Sequence, residues 1–179
     1  AMGTNALTAL TTSDYNTAFG KSAGSAVTTG AGNVCIGSDS GRATTGGYNV
    51  CIGHQAGGPQ TASNSIAIGW GALYSATTGG NNTALGKYAQ RLLTTGDNNT
   101  ALGYEALDAN VTGSNNTAVG HQALLTNEAT NNTALGYQAF RLNTTGSNNT
   151  ALGLQCLNAN TTGGSNVVVG HQAGAACTT

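Results

Sequence analysis

The chain has 179 residues, of which only 6% are charged, and its net charge is −1. Ordinary soluble domains carry about 25% charged residues, and nothing in this balance points to nucleic acid or an anionic membrane surface as a partner. No apolar run approaches the ~18 residues of a membrane-spanning helix, so membrane insertion is not expected.

From the N-terminus, residues 1–3 read as a cloning remnant and residues 4–12 as half of a repeat. Ten copies of one unit then follow, each marked by a glycine: Gly20, Gly37, Gly53, Gly69, Gly86, Gly103, Gly120, Gly136, Gly153 and Gly170. These glycines lie 16 or 17 residues apart throughout. The last copy stops in mid-repeat, and the chain reads as a fragment of a longer protein with residues 4–179 as its single repeat domain. A fixed short period makes each unit stack on the next, which is the signature of a solenoid. High Gly, Asn and Thr with little charge is also a disorder-like composition, but disordered tracts lack regularly spaced aliphatic positions.

Positions are numbered here from the glycine, which is position 0. Position −1 is apolar in all ten copies, from Phe19 and Ile36 to Val169. Position −3 is β-branched in all ten, from Thr17 to Val167, and position −2 is Ala or Cys except at Val168. Position −4 is Asn in nine copies and Ser65 in the other. This alternation predicts a short strand with −3 and −1 on one face and −4 and −2 on the other. The glycine marks a corner. A second short strand is expected after it, as at Tyr137-Gln138-Ala139-Phe140, and then a polar turn such as Thr144-Thr145-Gly146. Two strands and two turns describe one coil of a narrow parallel β-solenoid, with coils about 4.8 Å apart.

So small a coil suits an interior of alanines and a ladder of asparagines bonded from coil to coil, which turns the Thr/Val and Leu/Ile columns outward. An outward aliphatic stripe of this length is too apolar to leave wet, and three chains packing their stripes on a common axis would cover it. The opposite assignment, aliphatics inside and Asn/Ala outside, suits a monomer.

The pattern resembles the head repeats of trimeric autotransporter adhesins, whose Asn-Ser-Val-Ala-Ile-Gly motif is nearly matched by Asn64-Ser65-Ile66-Ala67-Ile68-Gly69. The longer Asn-Thr-Ala-Leu-Gly-Tyr-Gln-Ala form resembles repeats of phage tail fibres and of host-attachment proteins of large algal viruses. The resemblance covers essentially the whole chain. It implies an all-β, left-handed parallel β-roll of about ten coils, a homotrimer, and surface attachment from a virion fibre or an extracellular surface. Its repeat length differs from that of the autotransporter heads. The chain is also similar to plant ice-binding β-rolls through Asn82-Thr83, Asn99-Thr100 and Asn116-Thr117. A uniform ice-binding face is interrupted, however, by Val or Ile in four copies of position −3 and by Phe19, Ile36 and Ile52.

No catalytic constellation is read. The six acids fall at different positions of the repeat, and His54, His121 and His171 share position +1 without an implied acid partner. Cys35 and Cys51 occupy one slot in adjacent copies, Cys156 replaces an alanine and Cys177 lies in the tail. These are the places of small buried residues rather than of a disulfide framework, and no C-x-x-C metal motif occurs. No cofactor is implied.

The most informative columns are +1 and +2. Aromatic rings beside Gln and Glu hold sugars by stacking and hydrogen bonding, and Trp70, Tyr88, Tyr104, His121, Tyr137 and Gln138 are the candidate glycan-binding residues. Solvated corner residues or inter-chain contacts are the plainer alternative. Eight Asn-x-Thr sequons, at Asn81, Asn98, Asn110, Asn115, Asn131, Asn143, Asn148 and Asn160, read as by-products of the repeat. The expected function is a structural or adhesive module contacting a host-surface glycan, with a passive fibre spacer and an ice-binding solenoid as alternatives.

Overall fold

The computed structural model describes residues 1–42 and 45–178. Ala43, Thr44 and Thr179, which the sequence places inside the repeat domain, lie outside the described residues. Ten three-residue strands form one parallel sheet in chain order: β1 (Thr17–Phe19), β2 (Val34–Ile36), β3 (Val50–Ile52), β4 (Ile66–Ile68), β5 (Thr83–Leu85), β6 (Thr100–Leu102), β7 (Thr117–Val119), β8 (Thr133–Leu135), β9 (Thr150–Leu152) and β10 (Val167–Val169). Each strand pairs with its neighbours in unshifted register, so every column of the repeat becomes a row along the solenoid. No helix occurs among the described residues. At the N-terminal end Met2 bridges to Phe19, and Gly3 adopts φ 134°, as the corner glycines do.

The inside-out expectation for the strand holds. Position −2 points inward and is buried from Ala18 to Ala151, with Cys35 and Cys51 in the same row. Position −1 points outward and stays substantially exposed, 42% at Leu85 and 49% at Leu135.

The second strand does not form. Residues 0 to +7 make a run of linked turns, because positions +2 and +4 both take positive φ, as at Glu105 (55°) and Leu107 (52°). Alternating backbone hands cannot extend a pleated strand. They still bond between coils: the Gln122 N–H donates to the preceding coil's Tyr104 carbonyl, and the Leu124 N–H donates to the next coil's Ala139. Position +4 also supplies the largest interior side chains, Leu73, Leu107, Leu124, Phe140 and Leu157, all buried. The aliphatics of the repeat are therefore divided, with −1 outside and +4 inside.

The asparagine at −4 is tied in two directions. Its side-chain oxygen accepts the backbone N–H of the next coil's −4 residue, as Asn82 does from Asn99 at 2.8 Å and Asn99 from Asn116 at 2.9 Å. Its amide nitrogen crosses the interior to the backbone carbonyl of the closing turn, as from Asn82 to Gly96 at 2.8 Å and from Asn132 to Gly146 at 2.8 Å. Direct amide-to-amide bonds accompany this at Asn116, Asn149 and Asn166. A second buried asparagine row, Asn110, Asn127, Asn143 and Asn160 at position +7, fastens the closing turns of later coils, with the Gly113 N–H donating to Asn110 Oδ1 at 2.8 Å. Three sequon asparagines, Asn110, Asn143 and Asn160, are thus interior, while the other five stand exposed.

At the corner, Gly103 combines φ +138° with a close approach to the next coil: an added Cβ would lie 2.5 Å from the Gly120 carbonyl oxygen. The row admits only glycine on both grounds.

Replacing Asn82 by Ala strands the Asn99 N–H and the Gly96 carbonyl inside the coil. Each buried orphan costs about 1–3 kcal/mol, so Asn82→Ala is expected to lower unfolding free energy by about 2–4 kcal/mol in denaturant titration. The exposed Thr95→Ala should change it by no more than about 0.5 kcal/mol.

Candidate functional site

The unshifted register carries positions +1 and +2 into adjacent rows at the corner, with Tyr88 and Gln138 from +2 and Trp70, Tyr104, His121 and Tyr137 from +1. There the rings of His54 and Trp70 lie 6.4 Å apart between centroids, and those of Trp70 and Tyr88 5.3 Å apart. Farther along, Tyr104, His121 and Tyr137 form a continuous stack with spacings of 5.2 and 5.0 Å. Lys87 joins the two groups, its Nζ lying 4.4 Å from the Trp70 ring centroid, 4.9 Å from Tyr88 and 5.8 Å from Tyr104. The six residues expected from the sequence are therefore brought together on one corner.

They are not equivalent. Both faces of His121 are taken by neighbouring tyrosines, which leaves a ligand only its edge, and its Nδ1 is buried without a hydrogen-bond partner. Gln138 belongs to a ladder at position +2: Gln122 donates to Glu105 at 2.8 Å, Gln138 to Gln122 at 2.9 Å, Gln155 to Gln138 at 3.1 Å and Gln172 to Gln155 at 3.1 Å. Its amide is thus engaged on both sides by its own neighbours.

The ladder ends at Glu105, and the two preceding coils carry Tyr88 and then Gly71 at position +2. With no side chain there, the Tyr88 ring occupies the vacated space, so close that a Cβ on Gly71 would sit 2.9 Å from it. The gap opens a cavity of about 180 Å³ lined by Gln55, Trp70, Gly71, Tyr74, Tyr88 and Arg91. Tyr74 and Arg91 come from position +5, a column that the sequence reading did not consider. Arg91 sits 4.8 Å over the Tyr88 ring and is fixed by a two-pronged ion pair to Asp108 at 2.9 and 3.0 Å. Arg42, from the same column, reaches across Gly58 to lie 5.0 Å over Tyr74. The legible signal was the chemistry of column +5 itself, where Arg42, Tyr74, Arg91 and Asp108 fall one repeat or two apart.

The carboxylates here are arranged for structure. The Gln122 amide hydrogen bond holds the Glu105 carboxyl below the usual range, against a weaker opposing effect of burial, and the Tyr104 hydroxyl helps. The hydrogen bond to Glu105 in turn raises Tyr104. Burial pushes Asp108 up despite Arg91. The hydrogen bond between Cys35 and Cys51, together with burial, holds Cys51 well above the ordinary thiol range, while the same bond lowers Cys35 against the opposing effect of burial. No cluster of three or more metal-ligating side chains occurs among the described residues. No family model, curated protein or solved structure matches the chain.

Gln122→Ala removes the donor that keeps Glu105 ionised, so the Glu105 carboxyl should titrate at higher pH in a carbon-detected NMR titration. A stability contribution from this carboxylate is present above its unfolded pKa and is lost as pH falls through its lowered folded value; the variant should show less of that acid dependence.

Proposed function

We propose that the chain is an adhesive repeat module of a viral fibre or surface adhesin, which attaches to a host-surface glycan through the corner at Trp70 and Tyr88. The observation that carries this reading is the cavity at Gly71, where a rigid solenoid leaves a tryptophan 46% exposed beside a second ring and polar side chains. Pyranose rings bind such surfaces through their apolar faces, while hydroxyls find amide and guanidinium partners. The cavity lies below the about 300–1,000 Å³ typical of drug-sized ligands and suits a single sugar unit. Weak single sites gain strength when copies are tethered together.

A homotrimer is part of the proposal. The −1 row of Leu, Ile, Val and Phe runs the length of the sheet, and its exposed members Phe19, Leu85, Leu102, Leu135 and Val169 favour burial against other copies. One feature favours a spacer role for the later coils: the Tyr104–His121–Tyr137 stack and the Gln ladder saturate one another and leave few groups for a ligand. The Thr column is a poor ice-binding face, because Val34, Val50, Ile66 and Val167 interrupt it.

Two measurements test this. On an array of host-like cell-wall and surface glycans the labelled protein should bind selectively, and Trp70→Ala should weaken the signal by about tenfold or more, the loss of one aromatic anchor. Undiminished binding by Trp70→Ala rejects this corner as the site. In light scattering the protein should show about three times its 17.6 kDa chain mass, and the double change Leu85→Lys, Leu135→Lys should return it to a single chain.

A further inference from the structure

Positive charge is concentrated in and beside the cavity. The sequence contains five Lys and Arg residues, and three of them, Arg42, Lys87 and Arg91, lie against rings of the cavity or its rim. Their states differ. Arg91 is neutralised by Asp108, which forms the one ion pair among the described residues. Among the described residues Lys87 makes no ion pair and donates no hydrogen bond; it rests over the faces of Trp70 and Tyr88, both of which line the cavity. Arg42 rests over the Tyr74 face and has no ion pair among the described residues.

A ring quadrupole holds a cation in place without consuming its N–H donors. Lys87 is therefore held against two rings that line the cavity, with its hydrogen-bonding capacity unused among the described residues. The nearby carboxylates are otherwise engaged: Glu105 accepts from Gln122, Asp108 pairs with Arg91, and Asp39, two coils before Gly71, accepts from Ser38. None satisfies Lys87.

We propose that this cavity binds a carboxylated sugar, with the pyranose ring against Trp70 and the carboxylate received by Lys87, while Arg42 adds longer-range attraction. The proposal rests on the glycan reading above and specifies its ligand class. A carboxylate accepts a charge-assisted hydrogen bond from the ammonium, stronger than one between neutral groups. A neutral sugar would leave that donor set unused. Uronic acids and sialic acids share the required chemistry, and the probes separate them.

The test uses the whole chain titrated with tetragalacturonate and its methyl ester, and with sialyllactose and lactose. At least one acidic probe should bind, about tenfold or more tighter than its neutral counterpart, with affinity falling as salt rises. Lys87→Gln should weaken that binding about tenfold and Arg42→Gln about threefold, effects in the range of one direct and one distant charge. Thermal melts of both variants should match the parent, which keeps folding out of the comparison. Equal binding of acid and neutral partners overturns the charge assignment and leaves the glycan reading standing. Acid binding unchanged by Lys87→Gln places the anion elsewhere and also overturns it. Failure of both acidic probes overturns it as well; if the wider array then shows neutral glycans bound, the adhesive reading survives, and if the array is blank, both fall.

Discussion

Every coil depends on one amide. The −4 asparagine holds the start of a coil to its own closing turn through its nitrogen and to the next coil's backbone through its oxygen. A coil of 16 or 17 residues is too narrow to be stabilised by a broad apolar core, since its inward strand position is mostly alanine and few large side chains enter, chiefly from position +4 in the later coils. Dry backbone groups are costly when unpaired. The asparagine meets this by acting as a piece of backbone set crosswise, with one donor and one acceptor in the directions that the chain itself leaves unsatisfied. Where Ser65 stands in the row, the oxygen contact continues at 3.3 Å to the Asn82 N–H, but no nitrogen reaches across. The coil that carries Ser65 must close without that tie, whereas the next has it again from Asn82 to Gly96.

The same constraint sets the outer surface. Because the register is unshifted, a side chain at any outward position has near-identical neighbours one coil above and below. Rows of like groups then satisfy one another: glutamine amides bond in sequence and rings stack at about the coil spacing. Regular repetition therefore produces a surface whose polar and aromatic capacity is turned along the axis. Groups become free for a ligand where the repeat is broken, as Gly71 breaks the +2 row and Gly58 breaks the +5 row.

The architecture was legible because it is written as a period. Ten glycines, a β-branched column and an asparagine column sufficed to locate all ten strands and to orient them, with alanine in and leucine out. The second strand was misread because Tyr137-Gln138-Ala139-Phe140 has strand-like residues, while its backbone takes φ of 52° at both Gln138 and Phe140. Side-chain pattern does not report the hand of non-glycine residues, and position +4 gives the clue only indirectly, by carrying Gly in four copies, at Gly24, Gly41, Gly57 and Gly174, and larger residues in the others. The candidate site was half legible. Trp70 and Tyr88 were found from their column, but Tyr74 and Arg91 approach from three or more residues farther around the coil, over buried Ala72 and Leu73, and a single-column reading does not join them.

This division has a functional consequence. Coils from Gly103 onward follow the consensus closely, with Gln ladders, stacked rings and a second asparagine row. Coils from Gly37 to Gly86 depart from it: two of their spacings are 16 residues, they carry the extra glycines 58 and 71, and they hold three of the five cations within or beside their turns. The two halves answer to different requirements. Consensus coils optimise contact with their own copies and so set length and stiffness, whereas irregular coils give up ladder contacts and expose a tryptophan and an unpaired lysine. Giving up such contacts lowers stability locally without benefit to the fold, which is the usual mark of a site shaped for something outside it. On the function proposed above, the regular coils serve as the stem and the irregular coils carry the binding surface.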